Sequence, residues 1–456
     1  MRRLIIPSVV LGNAAWLLVG CSKQIEFAQG WSVPIKFAES DDSLGGGVEL
    51  YKWHDSVFAL KSQRNRTALC FLLNSSDNSW SEAPFTGVPQ GYFWSRPALD
   101  QDNDRAFFEG SYMEDDQLAI AVLVGRVVAN GSLTVRDALE KKWITNIKAL
   151  FGETGPNVKL TEPGRRDWPG FGIGIINGQD FYIPYSLGGL EVTYRGKTLF
   201  TDGTKGPGNC GVFHSVDSGT TWQMEKISES LGGPTSVVRT KNRFFYFATK
   251  TVMNRSDQLW FSQKSEANGS WDAPKSVIKS YANGYIAAPQ GDTVHLCWLD
   301  RRHEKRRLNL LNPSRDNFEV AYCQRKDSDA NWSKDVILSE GLLYSYSPTI
   351  SVEGDKVVIA WAGVQTAKDW HTNFDPNDIF YVTSRDKGRT WAKPLRVTDN
   401  VKAGITAGDP HVVLLNGIIH LCFIQGKLNL KQESAGLTKL NQPPWPIYYQ
   451  QRPFPN

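Results

Sequence analysis

The sequence predicts an all-β fold, a propeller of four-stranded antiparallel blades, and three observations carry this prediction. Residues 214–222 read "HSVDSGTTW" and residues 383–391 read "TSRDKGRTW", so a Ser, an Asp, a Gly and a Trp return at fixed offsets. Runs of alternating apolar and polar residues precede both copies, and this is the period of a half-buried strand. Hairpins with Gly, Asn or Asp at the turn lie upstream. Radial repetition of such units is the propeller architecture.

Weaker copies of the motif extend the repeat over most of the chain. Each keeps a Trp after a polar turn and before a short run with Pro or Val, and these are Trp80, Trp271 and Trp332. One unit is therefore a hairpin, a third strand, the motif as a turn, and a fourth strand that begins at the Trp. The units are not separate domains, because each blade must bury its faces on its neighbours.

The inner hairpins predict seven blades, with six as the alternative because the second unit, "LAIAVLVGRVVANGSLTV", has no motif Trp. The hairpins begin near Gly46, Arg96, Gly170, Pro234, Ile286, Pro348 and Pro410. The last unit has a third strand at "PIYYQQ", whereas "QGWSVPIKF" around Trp31 reads as a fourth strand without the other three. We expect this N-terminal strand to pair in the C-terminal blade and to close the ring.

One segment departs from the strand pattern. In "VRDALEKKWITNIKALF" the apolar residues follow helical spacing, and they are Val135, Leu139, Trp143, Ile147 and Leu150. Lys141 and Lys142 fall off that face, as in an amphipathic helix. This spacing predicts a helical insertion at about 135–151 that lies against the propeller.

The first residues predict export. A short basic start precedes an apolar stretch, residues 4–20, which is too short and too interrupted for a membrane span. The stretch ends in "LVGC", which resembles the lipobox of bacterial lipoproteins. This resemblance implies a signal peptide over 1–20, a lipid on Cys21 and a tether over 21–28. The repeat then predicts a single propeller domain over 29–456. The expected location is the bacterial cell envelope, and an ordinary secretory signal is the alternative.

Composition limits the partners and the chemistry. The formal net charge of +4 over 456 residues is small, so a nucleic-acid partner is not expected. The chain has 6 cysteines, and the spacing of those after Cys21 fits neither a disulfide framework nor a zinc site. We expect buried free thiols, with a pair between Cys297 and Cys323 left open. No metal and no cofactor are expected.

The two full motifs resemble the Asp boxes, or BNR repeats, of sialidases and related bacterial propellers. The matching residues are Ser215, Asp217, Gly219 and Trp222 in the first copy and Ser384, Asp386, Gly388 and Trp391 in the second. Ser and Asp side chains can bond the backbone of their own turn, Gly supplies a positive φ, and Trp packs its ring on the neighbouring sheet. The resemblance implies a structural role at the rim, away from the centre.

The same resemblance implies a catalytic site. Sialidases hold the substrate carboxylate with arginines, whose planar guanidinium binds it in bidentate fashion, and attack with a Tyr that a Glu assists. "FWSRPAL" resembles the segment of the first Arg and nominates Arg96. "YSYSPTISVEGDKVVIAW" resembles the segment of the nucleophile and nominates Tyr346, with Tyr344 as the second choice. Glu229 lies near the place of the partner Glu, although the aligned position falls at residues 234–235.

Other polar clusters predict substrate contacts. "GRRDWPGFG" precedes an inner strand and presents a set suited to an acidic sugar, Arg165, Arg166, Asp167 and Trp168, with a solvated loop tip as the alternative. "WLDRRHEKRR" places Arg301 after a strand, and the alternative is a solvated loop in which Asp300 pairs with an Arg. Carboxylates and imidazoles on further blades could do acid and base work, and they are Asp369, His371, Asp375, Asp409 and His411.

These features predict a sialidase-like propeller at the cell envelope, acting as an exo-glycosidase on a glycan or sialoglycoconjugate. Contact with the membrane is expected through the N-terminal lipid only. The alternative is a non-catalytic propeller that binds glycan or protein. An enzyme should bring an Arg and two or more acidic or Tyr side chains together at the central pocket. A binding module should present aromatic and neutral polar groups there.

Overall fold

The computed structural model describes the chain from Ile25 to Pro455 with gaps, and strands fill most of it. The described residues are 25–40, 48–63, 66–74, 76–83, 93–94, 98–100, 105–114, 117–126, 136–146, 170–171, 174–186, 192–194, 197–200, 210–228, 230–252, 256–265, 269–278, 282–302, 318–342, 344–365, 377–400, 405–427 and 445–455. No helix occurs among them, so the predicted all-β fold is confirmed. None of these segments therefore forms a helix that could cross a membrane.

The first three sheets contain four or five strands each. After β1 (Ile35–Ser40), sheet 1 contains β2 (Val48–Trp53), β3 (Ser56–Gln63), β4 (Arg66–Asn74) and β5 (Ser79–Ala83). Sheet 2 contains β6 (Phe93–Trp94), β7 (Ala98–Asp100), β8 (Arg105–Glu114), β9 (Gln117–Arg126) and β10 (Arg136–Asn146). Sheet 3 contains β11 (Gly170–Phe171), β12 (Ile175–Asn177), β13 (Asp180–Ser186), β16 (Cys210–Ser215) and β17 (Gln223–Ser228). Between β13 and β16 the chain forms a separate hairpin of β14 (Val192–Tyr194) and β15 (Lys197–Phe200).

The remaining sheets repeat one four-stranded antiparallel order. Sheet 4 contains β18 (Gly232–Arg239), β19 (Phe244–Val252), β20 (Ser256–Lys264) and β21 (Lys275–Ser276). Sheet 5 contains β22 (Ala282–Gln290), β23 (Thr293–Asp300), β24 (Glu319–Lys326) and β25 (Val336–Ile337). Sheet 6 contains β26 (Tyr344–Glu353), β27 (Lys356–Val364), β28 (Asp378–Ser384) and β29 (Leu395–Arg396). Sheet 7 contains β30 (Ile405–Leu415), β31 (Ile418–Lys427), β32 (Trp445–Pro453) and β1.

Seven sheets of four or five strands thus lie within the described residues. A ring of seven blades stays a prediction, with six as its alternative. The first strands lie innermost, because those of neighbouring sheets pack on one another: β18 on β22, β22 on β26, β26 on β30, and β30 on β2. Apolar cores fill the spaces between successive sheets, with Trp361 between sheets 5 and 6 and Leu421 between sheets 6 and 7. Strands buried on both faces, such as "TVHLCWLD", therefore read as continuous apolar runs.

The predicted helical insertion at 135–151 was wrong over its described part. Arg136–Asn146 is strand β10, which pairs antiparallel with β9 from Arg136 opposite Arg126 to Asn146 opposite Ala119. The edge of β9 offers ladder hydrogen bonds to these residues, and tertiary pairing overrides a local preference for helix. Helical spacing of apolar residues does not reveal a partner strand.

The N-terminal strand closes the ring in sheet 7, as predicted. β1 pairs antiparallel with β32, with Ile35 opposite Tyr449 and Ser40 opposite Trp445. The sheet order β1-β32-β31-β30 therefore joins one strand from the start of the chain to three from its end. This pairing leaves sheet 7 with the same four strands as its neighbours.

Residues 25–28, predicted as part of a tether, belong to the folded body instead. Ala28 is buried, and its backbone N–H donates to the carbonyl of Arg396 at 2.7 Å. The apolar face of Ala28 and the free edge of β29 favour this packing over a solvated tether. Any tether therefore ends before Ile25.

The described cysteines are free and buried, and they are Cys210, Cys297, Cys323 and Cys422. Cys297 belongs to the core between sheets 5 and 6, whereas Cys323 belongs to the core between sheets 4 and 5. The two thiols thus lie on opposite faces of sheet 5, and the pair that the sequence left open does not form.

Candidate functional site

The sheets have two unlike ends, which we call the turn end and the mouth end. The turn end carries the hairpin between the first and second strands, and also the SxDxGxTW turns, residues 215–222 and 384–391, between the third and fourth strands. In sheet 6 the two turns touch, since the backbone N–H of Lys387 donates to the carbonyl of Asp355 at 2.8 Å. The mouth end is the opposite end, where the first strands begin.

The carboxylate of each SxDxGxTW turn bonds within its own turn. Asp386 accepts hydrogen bonds from the backbone N–H of Thr390 at 2.8 Å and from its hydroxyl at 2.6 Å. Ser384 Oγ donates to Asp386 Oδ1 at 2.8 Å. Asp217 receives the same bonds from Thr221, and these lower the pKa of Asp217 to about 2. The bonds engage the carboxylates inside the turns, which fits the structural role that the sequence suggests.

The Trp after the turn packs on the preceding sheet at two junctions, whereas Trp222 of sheet 3 lies 6.3 Å from Phe181 of its own sheet. Trp391 of sheet 6 lies edge-on against Tyr322 of sheet 5, with ring centroids 4.7 Å apart. Trp80 of sheet 1 lies edge-on against Tyr449 of sheet 7 at 5.1 Å. Gly388 makes the first contact possible, because a Cβ there would lie 2.0 Å from the phenol oxygen of Tyr322. At these two junctions the turn therefore links a sheet to the preceding one.

A buried histidine supports each of these tyrosines. His295 Nδ1 lies 2.7 Å from the phenol oxygen of Tyr322, and His420 Nδ1 lies 2.7 Å from that of Tyr449. Burial lowers the pKa of both histidines to about 4. Both imidazoles are therefore neutral near pH 7 and belong to the packing between sheets.

Two adjacent first strands carry the same irregularity at the mouth end. Ser347 and Asp409 have left-handed φ values of 48° and 45°, although Pro348 and Pro410 follow them. This conformation is disfavoured for a non-glycine residue and before proline, and the register shifts at both places. Ser347 Oγ donates to Asp409 Oδ1 at 3.0 Å and so joins sheets 6 and 7. Backbone strain and bulges of this kind cluster at functional sites.

Tyr346, the predicted nucleophile, lies beside this pair. Its phenol donates to the carbonyl of Ala407 at 3.1 Å. Gly408 allows the close approach, because a Cβ there would lie 3.0 Å from the phenol oxygen. Burial raises the pKa of Tyr346 well above its usual value, and the charge of Asp409 acts in the same direction. The phenol is thus held neutral between sheets 6 and 7, and its catalytic role stays a prediction.

A row of aromatic rings leads from Tyr346 towards sheet 5. The ring centroid of Tyr344 lies 5.6 Å from that of Tyr346, and Phe318 lies 6.2 Å from Tyr344. The guanidinium of Arg301, a predicted substrate contact, lies over the ring of Phe318 at 5.3 Å. Arg301 and Phe318 are buried, whereas the two tyrosines are half-buried. The row therefore offers two phenol rings to the mouth, with a cation at its far end.

Asp300, beside Arg301, is buried and forms an ion pair with the partly exposed Arg302. Arg302 donates to both of its carboxylate oxygens, at 2.8 and 2.7 Å, and Trp298 Nε1 donates at 2.9 Å. Burial raises the pKa of Asp300, but the hydrogen bonds from Arg302 outweigh it, and the pKa lies below its usual value. The structure therefore shows the alternative pairing of Asp300 with an Arg, in which the carboxylate is buried and the Arg302 side chain is partly exposed.

The mouth continues from sheet 7 onto sheet 1. The backbone N–H of Leu50 donates to His411 Nδ1 at 3.1 Å, and the ring of Tyr51 lies 6.3 Å from the imidazole. Tyr51 donates its phenol proton to Glu49. Glu49, Tyr51 and His411 are half-buried, as is Asp409. A carboxylate, an imidazole and a phenol thus lie on the first strands of sheets 7 and 1, and Tyr51 stands only three residues before the hairpin turn of sheet 1.

A second polar network at the mouth end is fully buried. Asp378, the first residue of β28, accepts hydrogen bonds on Oδ1 from Thr398 Oγ1 at 2.8 Å and from the backbone N–H of Asn400 at 2.7 Å. Arg396 Nη1 lies 3.5 Å from its other oxygen. Burial outweighs these partners and raises the pKa of Asp378 to about 6. This carboxyl supports the end of sheet 6 and does not face the mouth side chains.

The structure brings one predicted catalytic residue, Tyr346, to the mouth and places Arg301 at the end of the aromatic row. Three further candidates, Tyr344, Asp409 and His411, also lie within the described residues, on the first strands of sheets 6 and 7. The predicted positions outside the described residues are Cys21, Arg96, Arg165, Arg166, Asp167, Trp168, Glu229, Asp369, His371 and Asp375. Sequence reasoning missed the pairing of Ser347 with Asp409. A residue before proline recurs early in both first strands, in "YSYSPTI" and "AGDPHVV", and this signal could have revealed it. In the described segments, no three His, Cys, Asp or Glu side chains gather as metal ligands.

Comparison with known proteins gives structural likenesses only. No protein-family model matches the sequence, and no curated protein matches it. One similar solved structure is an ulvan lyase from a new family of polysaccharide lyases, at 8% identity over 86% of this chain and 93% of that chain, with a TM-score of 0.49. Another is the NanB sialidase from Streptococcus pneumoniae, at 9% identity over 94% and 71%, with a TM-score of 0.41.

A third likeness is to the β-propeller domain of the Trilobed protease from Pyrococcus furiosus. The identity is 6% over 90% of this chain and 98% of that chain, with a TM-score of 0.42. Likenesses this low carry no argument about activity. The function of this chain must therefore be inferred from the side chains at its own mouth end.

Proposed function

We propose that this protein is a glycan-processing propeller that acts as a sialidase-like exo-glycosidase at its mouth end. One observation carries the proposal: Ser347 and Asp409, both in strained conformations, bond to each other beside Tyr344 and Tyr346. Half-buried phenol rings suit the flat faces of a sugar, and a few fixed polar groups among them orient a ligand. A carboxylate held in place beside such rings is suited to acid and base catalysis on a glycosidic bond.

Asp409 is the group best suited to move the proton. Its Oδ1 accepts the hydrogen bond of Ser347, so the other carboxylate oxygen can face a ligand at the mouth. In this proposal Asp409 protonates the leaving oxygen, and Tyr346 attacks the anomeric carbon with Glu229 as its assistant. Arg96 binds the substrate carboxylate, and further contacts come from Arg301 and from the loop residues Arg165, Arg166, Asp167 and Trp168.

A second candidate function has an observation of its own in its favour. The phenol of Tyr346 is bonded to the carbonyl of Ala407, and its raised pKa disfavours the phenolate that would attack. A propeller with Tyr346 as a fixed wall and Tyr344 as a sugar platform would bind a glycan without cleaving it. This non-catalytic function would use the same side chains at the mouth end and the same class of ligand, a glycan.

The decisive experiment measures turnover of a fluorogenic sialoside and retention on immobilised sialoglycans with the same protein samples. Asp409→Asn and Tyr346→Phe should each lower kcat/KM by at least about 100-fold, because each removes a group that acts on the reacting bond. Asp386→Asn is the matched control, since it makes the same chemical change at the turn end and should leave kcat/KM within about twofold. Arg96→Ala should weaken retention.

The outcomes separate the two candidates. Turnover that survives Asp409→Asn removes the proposed mechanism. Wild-type protein that retains sialoglycans without turnover, and loses them on Tyr344→Ala, is a binding module. Protein that neither turns over nor retains any glycan is neither of the two.

The location at the bacterial cell envelope remains part of the proposal. It is supported by the resemblance of "LVGC" to a lipobox, which makes Cys21 the site of lipid attachment. An enzyme or binding protein held there would meet glycans outside the cytoplasm.

A further inference from the structure

The outer rim of sheet 6 carries the first described residues of the chain. Arg396 of β29 donates its backbone N–H to the carbonyl of Glu26 at 2.9 Å, and its own carbonyl accepts from Ala28 at 2.7 Å. Ile25 packs on the apolar core between sheets 5 and 6. The segment is therefore fixed to the rim by two backbone hydrogen bonds and an apolar contact.

The distance from this segment to Cys21 is short along the chain. An extended chain covers about 3.5 Å for each residue, so Cys21 lies within about 14 Å of Ile25. A lipid on Cys21 would enter a bilayer within that distance of the rim of sheets 5 and 6. In the predicted ring of seven sheets, sheets 2 and 3 form the far side, which is therefore not the side that meets the bilayer.

The same rim exposes large apolar side chains on three successive sheets. Val336 on β25 is 40% exposed, Phe27 beside β29 is 45% exposed, and Val33 just before β1 is 81% exposed. β25, β29 and β1 are the outermost strands of sheets 5, 6 and 7. Exposed apolar groups that recur along one edge mark a contact surface.

Two exposed lysines flank these side chains. Lys334 of sheet 5 and Lys393 of sheet 6 each lie two residues after the Trp of their turn, and the corresponding residue of sheet 7 is Val33. Lysines beside apolar side chains suit a surface of anionic lipid headgroups. We call these five residues, Phe27, Val33, Lys334, Val336 and Lys393, the rim patch.

We propose that the rim patch rests on the lipid bilayer, so that the propeller stands on its edge and the axis of the ring runs along the membrane plane. The inference rests on the proposed lipid at Cys21. The lipid holds the start of the chain at the bilayer, and a second contact through apolar and basic groups fixes how the folded domain is oriented on it. The mouth then opens sideways, parallel to the membrane, instead of towards it.

The test uses the full chain, expressed with its leader in a bacterial host and reconstituted in vesicles of phosphatidylethanolamine and phosphatidylglycerol. Val33→Cys and Phe27→Cys each carry an environment-sensitive fluorophore. Met224→Cys is the matched control, because Met224 is 50% exposed on β17, the outermost strand of sheet 3 on the other side of the ring. Mass spectrometry of the N-terminal peptide, compared with Cys21→Ala, reads the lipid independently.

We expect brominated lipids to quench the labels at 27 and 33 by more than about half and to leave the label at 224 unchanged, since quenching requires contact with the acyl region. Lipidated protein in which no label is quenched, or in which the label at 224 is quenched as strongly, overturns the edge-on placement and leaves the lipid anchor standing. Protein without a lipid on Cys21 overturns both proposals. The mass measurement tells these two failures apart.

Discussion

The two ends of the sheets differ in how far they repeat. At the turn end the two SxDxGxTW turns make the same bonds, with Ser Oγ to Asp Oδ1 at 2.8 Å in both. At the mouth end Ser347 and Asp409 form a pair across sheets 6 and 7. The contacts that repeat at the turn end hold the sheets together, whereas the side chains at the mouth end do not repeat and can differ in ways that suit a ligand.

The difference has a physical cause. Each sheet must meet its neighbour at the turn end in the same way, because the ring brings equivalent surfaces together at each junction. Trp391 on Tyr322 and Trp80 on Tyr449 are two copies of one solution. A ligand at the mouth sees several first strands at once, so no two strands need the same side chain.

The largest expected effect comes from acid at the turn end. Burial lowers the pKa values of His295 and His420 to about 4. Between about pH 6.5 and pH 4 these imidazoles are therefore protonated in the unfolded chain but neutral in the folded one. Stability is therefore fully present above pH 6.5 and is lost as the pH falls through this window. We expect a loss of about 2 kcal/mol for each histidine at pH 4.5.

Urea unfolding of wild type and of His295→Gln/His420→Gln, at neutral and at acid pH, measures this effect. The double variant should be less stable at pH 7 and should show a flatter pH dependence. An equally steep dependence in the double variant would assign acid sensitivity to other groups.

A smaller loss should follow from breaking one contact between sheets. Trp391→Ala removes the ring that packs on Tyr322 and should lower the free energy of unfolding by about 3 kcal/mol, whereas Trp391→Phe should lower it by about 1 kcal/mol. Glycan retention at a temperature where both variants are folded should stay as in wild type. A fall in retention with folding intact would show that the two ends are coupled.

The smallest expected effect comes from Asp378 at the mouth end, which should make the protein more stable as the pH falls, opposite to the effect of the two histidines. Burial raises the pKa of Asp378 to about 6, so its contribution to stability is fully present below about pH 3.8 and is lost as the pH rises through about 6. From pH 7 to pH 5 this group should add about 1 kcal/mol. Urea midpoints of Asp378→Asn should lack this gain.

Asp217→Asn is the matched control for this measurement, because the lowered pKa of Asp217 keeps its titration below the window. A gain that persists in Asp378→Asn, or disappears in Asp217→Asn, contradicts the assignment.

The sequence allowed the fold to be predicted because the repeat is local. A hairpin, a strand and a turn each leave a pattern within about ten residues, and the lone strand around Trp31 revealed the closure of sheet 7. The failure at Arg136–Asn146 has the same origin, since the spacing of Leu139 and Trp143 is local, whereas the edge of β9 that captures them is not.

The site was harder to predict from the sequence because its contacts join residues from different sheets. Tyr346 could be nominated from a family resemblance, but its bond to Ala407 and the pairing of Ser347 with Asp409 depend on how sheet 6 lies against sheet 7. The pairing of a buried His with a Tyr at His295 and His420 likewise joins strands that no local pattern relates. The contacts between sheets position these side chains, and no short stretch of sequence contains both partners of such a contact.

The pairing of β1 with β32 sets an order of events for a chain that leaves the ribosome with its N-terminus first. Sheets made of consecutive hairpins can form as they emerge, whereas sheet 7 must wait for the last residues to arrive. Until then the apolar faces of sheets 6 and 1 that sheet 7 covers stand open to water. The unfinished ring is therefore the form of this protein most exposed to aggregation, and a chain cut short before β32 would keep both faces open.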